Sequence, residues 1–253
     1  MSELSELSEL NGVHHGRQSQ LMPRLRECGG LVRKGSVTAD IGTDHALLPI
    51  WLLENGVCPF VYASDINEKP LETARRNIER HGLSDKITVL CGSGLERIET
   101  NAVSDIVIAG MGGGLIAEIL SQAAWTKHSR YRLILQPMSK QAELRLWLGE
   151  NGFDIVREIA VTDHGKDYTV ICAEFSGNTE SRGRLYPYIG ELAECRTLPS
   201  ARLTEHQISY LRGQLLGAAA SGDTEKEREL YSLIEQLTEI KEGILHDIGK
   251  GNI

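Results

Sequence analysis

Long apolar runs are missing from this chain of 253 residues. Its longest stretch without a charge, between Asp105 and Glu118, is 12 residues and holds four glycines. A helix that spans a bilayer needs roughly 18 or more apolar residues, so no membrane span is expected. Cysteine is scarce: five residues (Cys28, Cys58, Cys91, Cys172, Cys195), odd in number, widely spaced and never in a CxxC pair. They read as buried or incidental thiols of a reducing cytosol, and no metal site is expected. Positive charge is also short, with 27 Lys and Arg against 35 Asp and Glu and a net charge of −8. That balance argues against a protein coated in nucleic acid, because affinity for phosphates grows with the cations that meet them. The opening MSELSELSEL is acidic where a signal peptide would be basic and then apolar. A cytoplasmic protein is expected, with residues 1–17 disordered.

Charged residues make up 25% of the chain, the usual share for a soluble globular protein, which excludes wholesale disorder and a fibrous fold. Neither part is basic as a whole: the net charge is −5 before Ser176 and −3 after it. One local cluster stands out, in which Arg17, Arg24, Arg26, Arg33 and Lys34 are opposed only by Glu27. It reads either as a solvated helix face or as a phosphate site for RNA.

From Gln18 onward, β-prone and helical segments alternate. A short helix is expected from Gln18 to Cys28, stopped by Gly29-Gly30. Strands are expected at Ser36–Asp40, Phe60–Asp65, Lys86–Leu90, Ile106–Ala109 and Arg132–Leu135, with helices between them. Phe153–Val161 and Tyr168–Phe175 are joined by the short polar turn Asp163-His164-Gly165-Lys166, so that pair must be antiparallel. Strands that are nearly continuous in apolar residues, alternating with helices, predict a parallel sheet covered on both faces. Such a sheet binds ligands at the carboxyl ends of its strands. The expected units are a domain over 18–176 and a helical hairpin over 177–253. In the latter, Thr204-Glu-His-Gln207 reads as a capping box, Gly217–Gly222 as a turn and Asp223 as the next cap. Leu230, Leu233, Leu237, Ile240 and Ile244 are spaced 3-4-3-4, the seam of a coiled coil. The hairpin is read as a packing or dimer element, or as an arm that grips a large substrate.

Four strand ends carry chemistry. In Asp40-Ile-Gly-Thr-Asp-His45, a glycine turn follows an acidic strand end, as in nucleotide pockets. Asp44 would repel a diphosphate at the following helix start, which disfavours NAD and suits a cofactor with a cationic end, such as S-adenosylmethionine. Pro49 places the start of that helix near Leu47 and leaves Asp44 and His45 in a loop. Asp65, in Ser64-Asp65-Ile66-Asn67, is placed to accept ribose hydroxyls or to cap a helix. Ser93, in Cys91-Gly-Ser-Gly-Leu95, is a candidate for holding adenine. Gly110, Gly112 and Gly114 mimic a phosphate loop but lack the Lys and Ser/Thr that one needs, so this segment reads as pocket-lining backbone.

DIGTDHALLP, ASDINEKPL, GSGL, DIVIAGMGGGLI and LILQP occur in an order and spacing that resembles the bacterial tRNA adenine-N1 methyltransferases acting on D-loop position 22. The resemblance runs from about Arg24 to Phe175 and extends to the helical hairpin. It implies an α/β class I (Rossmann-like) methyltransferase sheet of seven strands with the last antiparallel, S-adenosyl-L-methionine as donor and tRNA as partner. It assigns Asp40, Gly42, Thr43, Asp44 and His45 to the first cofactor loop, and Asp65 with Ile66 to the ribose; Asn67 beside them is a further cofactor-binding candidate. Gly94 goes to the adenine loop, where Ser93 stands in place of the family's more frequent aspartate, and Ala109, Gly110, Met111 and Gly112 to the motif beside the target base. Asp44, His45 and Met111 are the catalytic candidates, and Arg24, Arg26, Arg33 and Lys34 the RNA-binding ones. A methyltransferase acting on another RNA or a small molecule, and a non-catalytic cofactor-binding protein, remain alternatives. The oligomeric state is open, with a monomer favoured.

Overall fold

The computed structural model describes residues 21–251. The acidic repeat, Arg17 and the start of the helix expected at Gln18 lie outside them. Helix α1 (Pro23–Leu31) leads into β1 (Thr38–Ile41), α2 (Leu47–Glu54), β2 (Val61–Asp65), α3 (Glu68–Arg80) and β3 (Ile87–Cys91). Then follow β4 (Asp105–Gly112), α4 (Gly113–Gln122), β5 (Arg132–Ser139), α5 (Gln141–Glu150), β6 (Phe153–Asp163) and β7 (Lys166–Phe175). The chain ends with the short α6 (Tyr186–Ile189) and the long helices α7 (Leu198–Ser221) and α8 (Thr224–Gly249). The seven strands form one sheet in the order β3-β2-β1-β4-β5-β7-β6. The first five are parallel, and β7 is antiparallel to both β5 and β6.

Alternation along the strands divides the core between the two faces of the sheet. Ile106, Ile108, Leu133 and Leu135 join an apolar cluster with Ile116, Leu120, Leu144 and Leu148 of α4 and α5. Val107 and Ile134 point the other way, into a cluster with Leu25, Cys28, Leu48, Ile50 and Ala74 of α1, α2 and α3. In α3, Leu71, Ala74 and Ile78 supply the buried stripe, with charged residues outside.

Three local expectations are corrected. Gly29-Gly30 does not stop α1, which runs to Leu31. A Cβ on Gly29 would lie 2.5 Å from the Trp51 ring, so that glycine permits the close crossing of α1 and α2. The capping box at Thr204 is inside α7, its hydroxyl donating to the Ser200 carbonyl (2.8 Å). The helix begins seven residues earlier, where Thr197 and Ser200 cap each other. The expected turn at Gly217–Gly222 is helical to Ser221, and the reversal is made at Gly222 (φ +73°). Asp223 does cap α8, accepting the Lys226 N–H (3.0 Å). The seam is present too, with Leu230, Leu233, Leu237 and Ile244 buried and Ile240 half-buried.

The hairpin of α7 and α8 is tied to β7 by an ion pair. Arg202 donates from Nε and Nη2 to the two Asp167 carboxylate oxygens (2.6 and 2.8 Å), and these bonds hold the Asp167 carboxyl below its usual range. Deeper in, Arg145 of α5 pairs with Glu158 of β6 at 3.0 Å, with both side chains almost fully buried. Glu158 also accepts the Thr169 hydroxyl (3.0 Å) and the Glu191 N–H (2.7 Å), while Arg145 donates to the Pro187 carbonyl (2.9 Å). No helix among the described residues is long and apolar enough to cross a membrane.

Candidate active site

Strand order reverses between β1 and β4, and the loops after β1, β2, β3 and β4 converge on that edge. At the end of β1 the Gly42 and Thr43 N–H groups both donate to the Ser64 carbonyl (2.7 and 2.9 Å), hooking the loop onto β2. Gly42 has φ +75°, and a Cβ there would lie 2.2 Å from Met111 Cε, so the β4 methionine lies against this glycine. His45 and Ala46 follow with φ +59° and +56°. Two successive non-glycine residues in the left-handed region store strain, and something must hold them. Asn77 of α3 does so, donating its amide to the His45 carbonyl (3.0 Å). Helix α2 starts at Leu47, leaving Asp44 exposed with its carboxylate 3.1 Å from His45 Nε2.

A cleft of about 250 Å³ opens beside this loop. Gly42, Asp65, Ile66, Asn67, Ser93, Gly94 and Met111 line it together with Ile41, Ser64 and Leu115. Asp65 accepts the Asn67 N–H on Oδ1 (2.7 Å), closing a tight turn and leaving Oδ2 for a ligand. Asp40, Thr43, Asp44, His45, Ala109, Gly110 and Gly112 flank the cleft without lining it. The segment after Ile108 is not a free loop. Strand β4 continues to Gly112 with a bulge that throws Gly110 (φ +80°) out of register against β5. The Gly110 N–H is caught by the buried Gln136 side chain (3.1 Å). Gln136 was legible only as a lone amide in an apolar strand, yet a buried amide must find partners, and these partners are the site.

The four cations read as one RNA patch are not together. Arg33 is committed at the amino end of β4, to both Asp105 oxygens and to the carbonyls of Ser104 and Arg130. Lys34 follows it there, just before β1, on the edge opposite the cleft. Arg26 is exposed and reaches the Leu21 carbonyl. Arg24 lies at the ligand edge, 3.1 Å from Asp163 and 3.2 Å from Gln136.

Asp40, Asp44 and Asp65 give the site a negative field. Burial pushes the Asp40 carboxyl up to about 6, opposed by the Thr43 side chain and reinforced by Asp44 and Asp65. Two buried polar atoms nearby, His45 Nδ1 and Ser64 Oγ, have no hydrogen-bond partner among the described residues. Carboxylates with spare polar atoms over an apolar floor suit a ligand that carries positive charge and hydroxyls. S-adenosylmethionine has both.

Because the folded-state pKa of Asp40 is raised above 3.8, the stability present below pH 4 is lost as pH rises through about 6. Asp40→Asn is therefore expected to stabilise the free protein at pH 8 by up to about 3 kcal/mol, taking 1.36 kcal/mol per pKa unit. Wild-type affinity for S-adenosylmethionine should fall as pH drops through 6, while the variant binds weakly at all pH. Urea unfolding and equilibrium dialysis between pH 5 and 8 measure both; a flat wild-type binding profile would remove Asp40 from the site.

Fold and site together define a class I S-adenosylmethionine-dependent methyltransferase, and residues 21–171 match the family model of the methyltransferase domain. Over 236 residues the chain is 31% identical to the tRNA (adenine(22)-N(1))-methyltransferase of Bacillus subtilis, covering 90% of this chain and 98% of that one. The chain belongs to the tRNA (adenine(22)-N(1))-methyltransferase family. The crystal structure of the B. subtilis M1A22 tRNA methyltransferase TrmK superimposes with a TM-score of 0.78 at 30% identity, over 88% of this chain and 99% of that one. A Streptococcus pneumoniae relative crystallised with S-adenosyl-L-methionine gives 0.74 at 32% identity, over 86% and 98%.

Proposed function

We propose that this protein is a cytoplasmic enzyme that methylates N1 of adenine 22 in the D-loop of tRNA, with S-adenosyl-L-methionine as donor. The reading is carried by the Asp44–His45 loop at the strand switch. It puts a carboxylate where a phosphate-bearing cofactor would need bare N–H groups, in a chain that matches the tRNA-modifying B. subtilis relative over 98% of its length.

When bound, the donor supplies a methyl group on a positively charged sulfur. N1 of neutral adenine is already nucleophilic, so the chain needs no strong base. Its task is alignment, which can lower a barrier by roughly 7–11 kcal/mol. Asp44 offers a carboxylate to the positive charge that passes to the purine. His45 Nε2, 3.1 Å away, and the Asn77 bond to the His45 carbonyl hold that carboxylate in place. The Gly110 bulge and Met111 shape the side of the cleft where the base enters. N1 lies on the Watson–Crick edge, so the target must be unpaired or flipped out, as a loop nucleotide can be.

The test is incubation with unmodified tRNA and methyl-labelled donor, followed by nucleoside analysis. Label is expected in 1-methyladenosine at position 22, reduced at least 100-fold in Asp44→Ala. Tight donor binding without transfer to RNA would overturn the tRNA reading and leave a small-molecule acceptor or a non-catalytic role.

A further inference from the structure

One polar chain at the ligand edge lies outside the lining of the cleft. The β6–β7 turn carries left-handed His164 (φ +47°) and Gly165 (φ +76°) at its tip. Since β6 runs parallel to β5, that tip stands at the same edge as the cleft. It places Asp163, 2% exposed, with Oδ1 2.6 Å from His164 Nδ1 and Oδ2 3.1 Å from Arg24 Nε. Arg24 Nη1 donates to Gln136 Oε1 (3.2 Å), the same oxygen that receives the Gly110 N–H. A Cβ on Gly110 would lie 3.8 Å from Arg24 Nη1, so the guanidinium faces the outside of the bulge.

We propose that Arg24 is an RNA contact of the methyl-transfer reaction, gripping a phosphate beside the extruded acceptor nucleotide, with Asp163 and Gln136 as its positioning residues. The inference rests on the tRNA reading above. An arginine has five N–H donors; the bond to Gln136 uses one, and the Asp163 carboxylate at 3.1 Å is an ion-pair partner whose Oδ2 takes no hydrogen bond. The Nη2 contact to Met22 sulfur is long, at 3.8 Å. Donors therefore remain for a ligand, in the planar fork that matches a phosphate. Phosphate is favoured over the base because the purine ring gains positive charge during the reaction and would be repelled by a guanidinium. Pairing with Asp163 makes the local charge neutral, so the arginine can stand near a cationic donor.

The experiment measures methyl transfer against tRNA concentration at several salt concentrations for wild type, Arg24→Ala, Arg24→Lys, Asp163→Asn and Gln136→Ala, with donor affinity measured in parallel. Arg24→Ala should lose about 100-fold in kcat/KM for tRNA, keep donor affinity within twofold, and flatten the slope of log KM against log salt by about 0.7–0.9, one phosphate contact. Arg24→Lys should keep the salt slope but not the rate, while Asp163→Asn and Gln136→Ala should lower kcat with the slope unchanged. An unchanged slope in Arg24→Ala, or donor affinity falling with the rate, overturns the assignment. Absence of tRNA methylation by wild type overturns the functional reading itself, and the assignment with it.

Discussion

Glu158→Ala is expected to destabilise the protein by about 3–5 kcal/mol, the usual effect of removing one partner from a buried ion pair. Arg145 would be left 2% exposed with its charge opposed by no carboxylate at hydrogen-bond distance. The Thr169 hydroxyl and the Glu191 N–H would lose their acceptor in the same step. The pair lies directly over Gly190, where a Cβ would stand 2.1 Å from Glu158 Oε2 and 2.6 Å from Arg145 Nε, so the glycine is what admits it. A double variant, Arg145→Met with Glu158→Leu, should recover part of the loss, because it removes the uncompensated charge as well as the attraction. Urea unfolding of the three proteins measures this. A Glu158→Ala midpoint equivalent to less than 1 kcal/mol would show that the charge has found water or another partner.

Asp65→Ala should weaken S-adenosylmethionine binding about 100-fold, with the folded state nearly unaffected. Its Oδ1 is engaged by the Asn67 N–H, leaving Oδ2 at the cleft for ribose hydroxyls. Hydrogen bonds to a charged group contribute roughly 1.5–3 kcal/mol each, and 1.4 kcal/mol is a factor of ten. Asp65→Asn keeps an acceptor for the turn and gives up the charge, so it should fall between, near tenfold. Calorimetric titration of the three proteins reads the difference. Equal affinities would show that the ribose is held elsewhere along the cleft.

Much of the fold was written in the order of apolar and turn residues. Runs such as Ile106-Val-Ile108 and Leu133-Ile-Leu135 can satisfy both faces only in a covered sheet, and Pro49 marked the start of α2 to within a turn. The first cofactor loop was legible because acid, glycine and the following helix are contiguous. What sequence spacing could not convey are meetings between distant residues. Arg24 and Asp163 are 139 positions apart in the numbering, and nothing local to either announces the other. The cation cluster was misread for the same reason. Arg24 and Arg33 bracket a helix that runs the depth of the sheet, and Arg33 had its own carboxylate waiting in Asp105. Gly29 looked like a helix stop because a glycine that ends a helix and one that admits Trp51 are the same letter.

Strand β6 is the outermost of the sheet on its side, and its free margin is where another chain could add itself. A bulge between Ile155 and Arg157 interrupts the strand. The short helical turn Gly190–Glu194 lies along it, the Cys195 thiol donates to the Glu158 carbonyl (3.2 Å), and α7 packs alongside. Apart from the bulge, these guards lie in the last quarter of the chain. Synthesis runs from the amino end, so all seven strands leave the ribosome before their edge is closed. The C-terminal segment therefore doubles as protection against aggregation: until residues beyond Gly190 arrive, β6 is a template for a neighbouring sheet.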